Sequence, residues 1–172
     1  MTDKAQQRKD NIISALTQAR RKILHVAYTL PPETRDEVFL GVWSAKELLA
    51  HLVGWDYTNI EATKSILSGE LPEFYSHHDR DWASYNAFLV ERHKTEDFAE
   101  LLHSVEASHR ALVDLLGTVP ADEFEKDRGV RYKRYKVTIA RLLQAEAEDE
   151  EEHHRQIKEF ARTGIPSTAS KP

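Results

Sequence analysis

Between Glu146 and Glu152 the only uncharged side chain is Ala147. A helix turns once in about 3.6 residues, so this stretch makes every face of two turns polar, including the inward one. Steps of four and three through the surrounding sequence pick out Ile139, Leu143, Glu146, Glu150, His153, Ile157 and Phe160. That stripe is apolar at both ends and ionisable in the middle. Burying carboxylates and an imidazole is costly unless they pair or coordinate something. The face is therefore expected to line a polar pocket with a metal ion as its natural occupant. His153 lies one turn after both Asp149 and Glu150, so either carboxylate can share its face. A carboxylate and an imidazole so spaced are two good ligands for zinc, nickel, iron or manganese. The third is expected from a neighbouring helix, and His51 is the best placed. It sits among Leu48, Leu52 and Trp55, where an unpaired imidazole would be out of place.

Other readings compete. Glu148, Glu151 and Glu152 read as a solvated face, and Glu146 or Glu150 could instead pair with Arg20 or Arg21 of the first helix. His51 could be a satisfied core histidine without metal. The pairs Glu150/His153, Glu100/His103 and Glu106/His109 fit the E-x-x-H spacing of dimetal bundles. Such sites also need inward acids from the other helices, and the first helix has none after Asp10. His109 reads as a buried or rim histidine, and His77, His78 and His103 have no spacing that demands chemistry.

Four long elements must position these groups. The first is predicted from Asp3 to Tyr28, with Ile12, Leu16, Ala19, Ile23, Val26 and Leu30 inward and Arg20, Arg21 and Lys22 in solvent. Pro31 and Pro32 end it, and one loose turn is expected around Glu33–Asp36. Ser44 and Glu47 form a capping box that starts the second helix, which runs to Gly69. The third starts at Asp79 or Asp81 and bends around His93–Thr95, where Thr95 is expected to cap a continuation ending at Gly117. Residues 121–137 are an irregular basic connection. The last helix runs from Thr138 to Thr163, closed by Gly164 and Pro166. No strand-period segment of useful length intervenes. The fold class expected is all-α, an antiparallel up-down four-helix bundle. It would fill residues 1–165 as one domain, with a flexible tail over 166–172.

With 172 residues, 40% hydrophobic, 31% charged and a net charge of −5, the chain reads as a soluble domain rather than a general nucleic-acid binder. It has no cysteine, which excludes disulfides, thiolate metal sites and cysteine catalysis. No stretch approaches the roughly 20 apolar residues of a membrane span, and residues 1–10 do not read as a signal peptide. A cytoplasmic location is the default expectation. Lys126 to Lys136 interleaves basic residues with tyrosines, as some nucleic-acid grooves do. An exposed loop is the favoured reading, with Arg131, Lys133 or Arg134 as a milder attraction for an anionic ligand. No Gly-rich phosphate loop or dinucleotide fingerprint is present.

Trp43-Ser-Ala-Lys-Glu-Leu-Leu-Ala-His51-Leu, then Asn86, then His153 with Gln156 and Ile157, together resemble the DinB/YfiT-like superfamily of four-helix bundles. The resemblance covers about residues 5–163. It implies a divalent metal held by a second-helix histidine, His51, and an H-x-x-x-H pair on the last helix. His153 matches the second of that pair, and Asp149 stands where the first would be. The resemblance further implies metal-dependent hydrolysis or thiol transfer on a small molecule, with His51, Asp149 and His153 as ligands. Glu150 or Glu146 would orient a ligand or act as general base. Asp56, Asn59 and Asn86 would be polar pocket walls, and Trp55 and Trp82 an apolar mouth. ClbS/DfsB-type members, a more distant resemblance, imply a metal-free binding or protective bundle instead. A homodimer is a further expectation, and neither nucleic acid nor membrane is an expected partner.

Overall fold

Ser44 and Glu47 form the reciprocal cap that their spacing predicts. In the computed structural model, which describes residues 2–77 and 81–168, the Ser44 hydroxyl accepts from the Lys46 amide at 3.2 Å. The Ser44 amide in turn donates to Glu47 at 2.7 Å. This cap opens α2, Ala45–Leu67. Before it, α1 spans Thr2–Thr29 and gives way at Pro31 to a short 3-10 turn, Pro32–Thr34. A one-turn helix, α3 (Phe74–His77), lies in the stretch expected to be loop. It is followed by α4, Trp82–Glu91, capped by Asp81. The alternative start at Asp79, like His78, lies outside the described residues.

The continuation, α5 (Phe98–Thr118), is capped by Asp97 and not by Thr95. The reason is local. Asp97 stands three residues before Glu100 and each satisfies the other's amide, at 2.8 and 2.7 Å, while Thr95 has Phe98 at that position. Residues 121–137 hold a 3-10 turn, Ala121–Glu123. They also hold a minimal antiparallel hairpin of β1 (Arg131–Tyr132) and β2 (Tyr135–Lys136), turned through Lys133 at φ 53°. The last helix, α6, covers Ile139–Thr163 between the Thr138 cap and Gly164, whose left-handed φ of 65° ends it. Ser167 then donates to the Phe39 carbonyl at 2.6 Å, tying the following residues back to the α1–α2 connection.

The chain is an all-α bundle in which α1 packs on α6 and α2 packs on α5 and α4. Its core is divided. One apolar cluster gathers around Ile23, Phe39, Leu49, Leu101 and Phe160. A smaller one, against α4, gathers around Trp55, Phe74, Tyr85 and Leu89, and the second large one around Leu16, Ile66, Leu112, Phe124 and Leu143. Between the two large clusters every long helix contributes polar groups: Arg20 from α1, Asp56 and Asn59 from α2, Ser108 from α5, Glu146 and Glu150 from α6. The ionisable middle of the α6 stripe thus belongs to a polar layer crossing the whole bundle. No helix among the described residues is long and apolar enough to cross a membrane.

Gly54 lets α2 and α4 approach closely. A Cβ there would stand 2.6 Å from the Cβ of Leu89. Alanine in a helix interior is normally worth about 1 kcal/mol over glycine, but this overlap involves a buried residue close to the backbone. Gly54→Ala is expected to lower stability by about 1–2 kcal/mol net, read from the midpoint of urea unfolding at constant m-value.

Candidate metal centre

Arg20 organises the polar layer. It was expected in solvent beside Arg21 and Lys22, yet only 1% of its side chain is exposed. Nη1 and Nη2 donate to the two Asp56 oxygens at 2.7 and 2.9 Å. Nε and Nη2 donate to the Glu150 oxygens at 3.0 and 2.6 Å. The guanidinium therefore makes two-point contacts with two carboxylates, the geometry its planar fork favours. Ser108 adds a hydroxyl donor to Asp56 at 2.6 Å. Burial opposes the arginine's charge, but Glu150 and Asp56 outweigh it and raise its pKa. Burial pushes the Glu150 carboxyl up, and Arg20 works against that.

Along one wall of this layer lie the three residues picked from spacing. Asp149 Oδ2 stands 3.2 Å from His153 Nε2 and 3.8 Å from His51 Nε2. The two imidazole rings meet edge to face with centroids 5.1 Å apart. One donor atom from each residue lies within 4.8 Å of the others. Both histidines are buried, whereas Asp149 keeps 56% of its side chain exposed. Gln156 fixes His153: its Oε1 can only accept, so His153 Nδ1 donates to it at 2.9 Å, leaving Nε2 for the site. The Gln156 amide donates onward to Glu152 at 3.1 Å. His51 packs beside Trp43 at 4.7 Å, and its buried Nδ1 has no hydrogen-bond partner.

The protonation states follow from these surroundings. Burial lowers the His51 pKa to about 4 despite Asp149 beside it, so a lone pair is available at neutral pH. Burial also works against a charge on His153, yet Asp149 and Gln156 raise its pKa overall. Burial pushes Asp149 up, but the two histidines outweigh it and hold the carboxyl below its ordinary range. Glu146 is pushed well up, by burial first and then by Glu150, Asp149 and Asp56.

Does this set suit a cation? Donors about 2.0–2.2 Å from a tetrahedral metal lie about 3.3–3.6 Å from one another. The separations of 3.2 and 3.8 Å bracket that range. Two nitrogens and one oxygen suit zinc, nickel, iron or manganese, and three protein ligands leave a position open to a small molecule. Hydrogen bonding to the far nitrogen of a ligating histidine is the usual support, and Gln156 supplies it for His153.

The donors face a cavity of about 1020 Å³. Trp55, Phe74, Tyr75 and Trp82 form its apolar wall, and Asn86, Glu146 and Glu152 are among its polar groups. Trp55 Nε1 donates to Asn86 Oδ1 at 2.9 Å, which orients the buried amide. Trp55, Asn86 and Glu146 thus all line the cavity. Asp56 and Asn59 do not. Both are fully buried behind the cavity wall, and Asp56 is spent on Arg20 and Ser108. Glu150 is likewise bound by Arg20 and is not a wall of the cavity. It takes the ion-pair role weighed for it rather than that of a base. The pairing of Glu150 with Arg20 is one of the alternatives the sequence offers, whereas Asp56 as a second partner and the α3 aromatics carry no spacing signal.

Much of the charge of the basic connection is paired internally. Asp127 pairs with Arg131 at 2.7 Å and Lys136 at 3.0 Å, and Glu123 pairs with Lys126 and Arg128.

Comparison with known proteins agrees with this architecture. The family model described as the DinB superfamily matches residues 15–157. No curated protein matches the chain by sequence. Among solved structures, it is similar to an uncharacterised protein from Escherichia coli UTI89, at TM-score 0.74 and 15% identity, covering 92% of this chain and 95% of that one. It is also similar to the colibactin self-resistance protein ClbS, solved in complex with a dsDNA, at TM-score 0.76 and 16% identity. That match covers 90% of this chain and 96% of the other.

Proposed function

The chain belongs to the DinB superfamily, and from that premise and the geometry of its site we propose that it binds one divalent metal ion through His51, Asp149 and His153 and acts on a small molecule by hydrolysis or group transfer. The observation that carries this reading is the convergence of three donor atoms within 4.8 Å on the wall of a cavity of small-molecule size. A cation held there supplies Lewis-acid polarisation of a coordinated heteroatom. The protein's own groups divide the remaining work. Gln156 holds the His153 tautomer. Glu146, on the cavity wall with its pKa raised by burial, is placed to donate a proton as a general acid. Asn86 offers its amide hydrogens to a ligand carbonyl, and Trp55 and Trp82 keep water from the apolar wall. Glu150 acts at one remove, by anchoring α6 to Arg20.

The dsDNA in the ClbS structure belongs to that protein. Here the pairing of the basic connection with Asp127 and Glu123 favours a small-molecule ligand over nucleic acid.

A second reading has its own support. The raised pKa of His153 beside Asp149 suits an imidazolium–carboxylate pair in a metal-free binding bundle. Elemental analysis of untagged protein separates the two. About one zinc, nickel, iron or manganese ion per chain is expected, lost in both His51→Ala and His153→Ala. Metal-free protein whose stability is unaffected by added zinc, nickel, iron(II) or manganese would end the metal reading.

A further inference from the structure

The cavity is charged differently at its two ends. At one end stand His51, Asp149 and His153; at the other Lys136 and Arg141. Lys136 already has a carboxylate partner in Asp127. Arg141 has none among the described residues, and its guanidinium makes one long contact, 3.5 Å, with the Lys136 carbonyl. It is thus an uncommitted cation on the wall of a large cavity. The Asp81 carboxylate, also on the wall, is engaged in capping α4 through the Ala83 amide at 3.0 Å.

Helix geometry measures the distance between the ends. From Arg141 to Asp149 is eight residues of α6, or about 12 Å at 1.5 Å per residue. Rings line the same cavity, with Trp55 5.5 Å from Phe74 and 5.8 Å from Trp82, centroid to centroid.

We propose that the cavity takes an elongated small molecule with an anionic group, carboxylate or phosphate, on Arg141, an aromatic or apolar body along Trp55 and Trp82, and its reactive heteroatom about 12 Å away at His51, Asp149 and His153. The far end rests on the metal reading; the Arg141 end does not.

Calorimetric titration of the full chain with three matched probes tests the near end: 4-biphenylacetate, 4-biphenylmethylphosphonate and the neutral 4-biphenylacetamide. At low ionic strength one or both acids are expected to bind about tenfold tighter than the amide, and the tighter acid shows which anion is preferred. Arg141→Gln is expected to erase that preference without weakening the amide, and Arg141→Lys to keep part of it. Salt should shrink the difference. Equal binding of all three, a preference that survives in Arg141→Gln, or no binding at millimolar concentration would overturn the proposal.

A fourth probe, 4'-carboxybiphenyl-4-acetohydroxamate, joins a metal-binding group to a carboxylate across a similar span. On metal-loaded protein it is expected to bind tighter than either one-ended probe and to lose its advantage over the carboxyl-free hydroxamate in Arg141→Gln. Should the protein take no metal, the hydroxamate gains nothing while the Arg141-dependent acid preference remains. Failure of the metal reading is then distinct from failure at Arg141. An Arg141-dependent preference for the one-ended acids with no added gain from the bifunctional probe on metal-loaded protein would overturn the proposed span.

Discussion

Replacing Arg20 with methionine is expected to remove about 3–5 kcal/mol of stability, because it leaves two buried carboxylates without their counter-charge. Asp56 and Glu150 are 0% and 1% exposed in their side chains, so water cannot substitute for the guanidinium. Ser108 would still donate to Asp56, which offsets part of one loss and none of the other. A loss of this size is a large share of the 5–15 kcal/mol that holds a typical domain together. The companion experiment replaces the whole charged set, with Arg20→Met, Asp56→Leu and Glu150→Leu in one chain. Charges that pair well in a protein interior still lose their hydration, so an apolar set of similar volume is often no less stable. The triple variant is therefore expected to recover most of what Arg20→Met loses. Urea unfolding decides both. A single variant within about 1 kcal/mol of the native chain would contradict the stated cost of unpaired burial. A triple variant no better than the single would mean that packing, not charge, sets the price.

Acid is expected to act through His109. Both of its ring nitrogens are shielded from solvent without hydrogen-bond partners. Burial, with Arg20 and then Arg21 adding to it against Asp56, lowers its pKa to about 4 from an ordinary 6.5. The unfolded chain therefore takes up this proton first as pH falls. The stability tied to neutral His109 is whole above about pH 6.5 and is lost progressively down to about pH 4. The difference corresponds to about 3 kcal/mol. His51 moves in the same direction. His153 and Glu146, both raised, move the other way and favour the fold as pH drops. The overall acid response is thus a difference, which a single-site variant isolates. His109→Gln is expected to flatten the decline between pH 6.5 and 4 by up to about 1.4 kcal/mol per pH unit. A parallel decline in the variant would show that the ring is already solvated.

What could be read in advance was mostly local. The Ser44–Glu47 box and the Gly164 stop each depend on residues within one turn, and both are found. Asp97 is equally legible, since its D-x-x-E pattern reaches Glu100 and Thr95 has no acid at the matching position. His51, Asp149 and His153 could be brought together because an inward stripe cannot stay charged without a partner. Arg20 could not be placed this way. Beside Arg21 and Lys22 it looks like part of a solvated run, and its partners lie 36 and 130 residues away. The choice between base and ion pair for Glu150 depended on that same placement. Asp56 was misassigned to the pocket because helix periodicity gives a side chain's direction without saying which neighbour meets it.

The pairing of α1 with α6 and of α2 with α4 and α5 has an evolutionary consequence. The cavity opens along the seam between these two halves, and part of its wall is exposed rather than packed into either half. Exposed wall residues such as Arg141 and Trp82 can therefore be exchanged singly while both halves keep their packing. A scaffold of this kind can acquire a new ligand without first losing its fold, which suits a frame shared with solved structures at 15–16% identity.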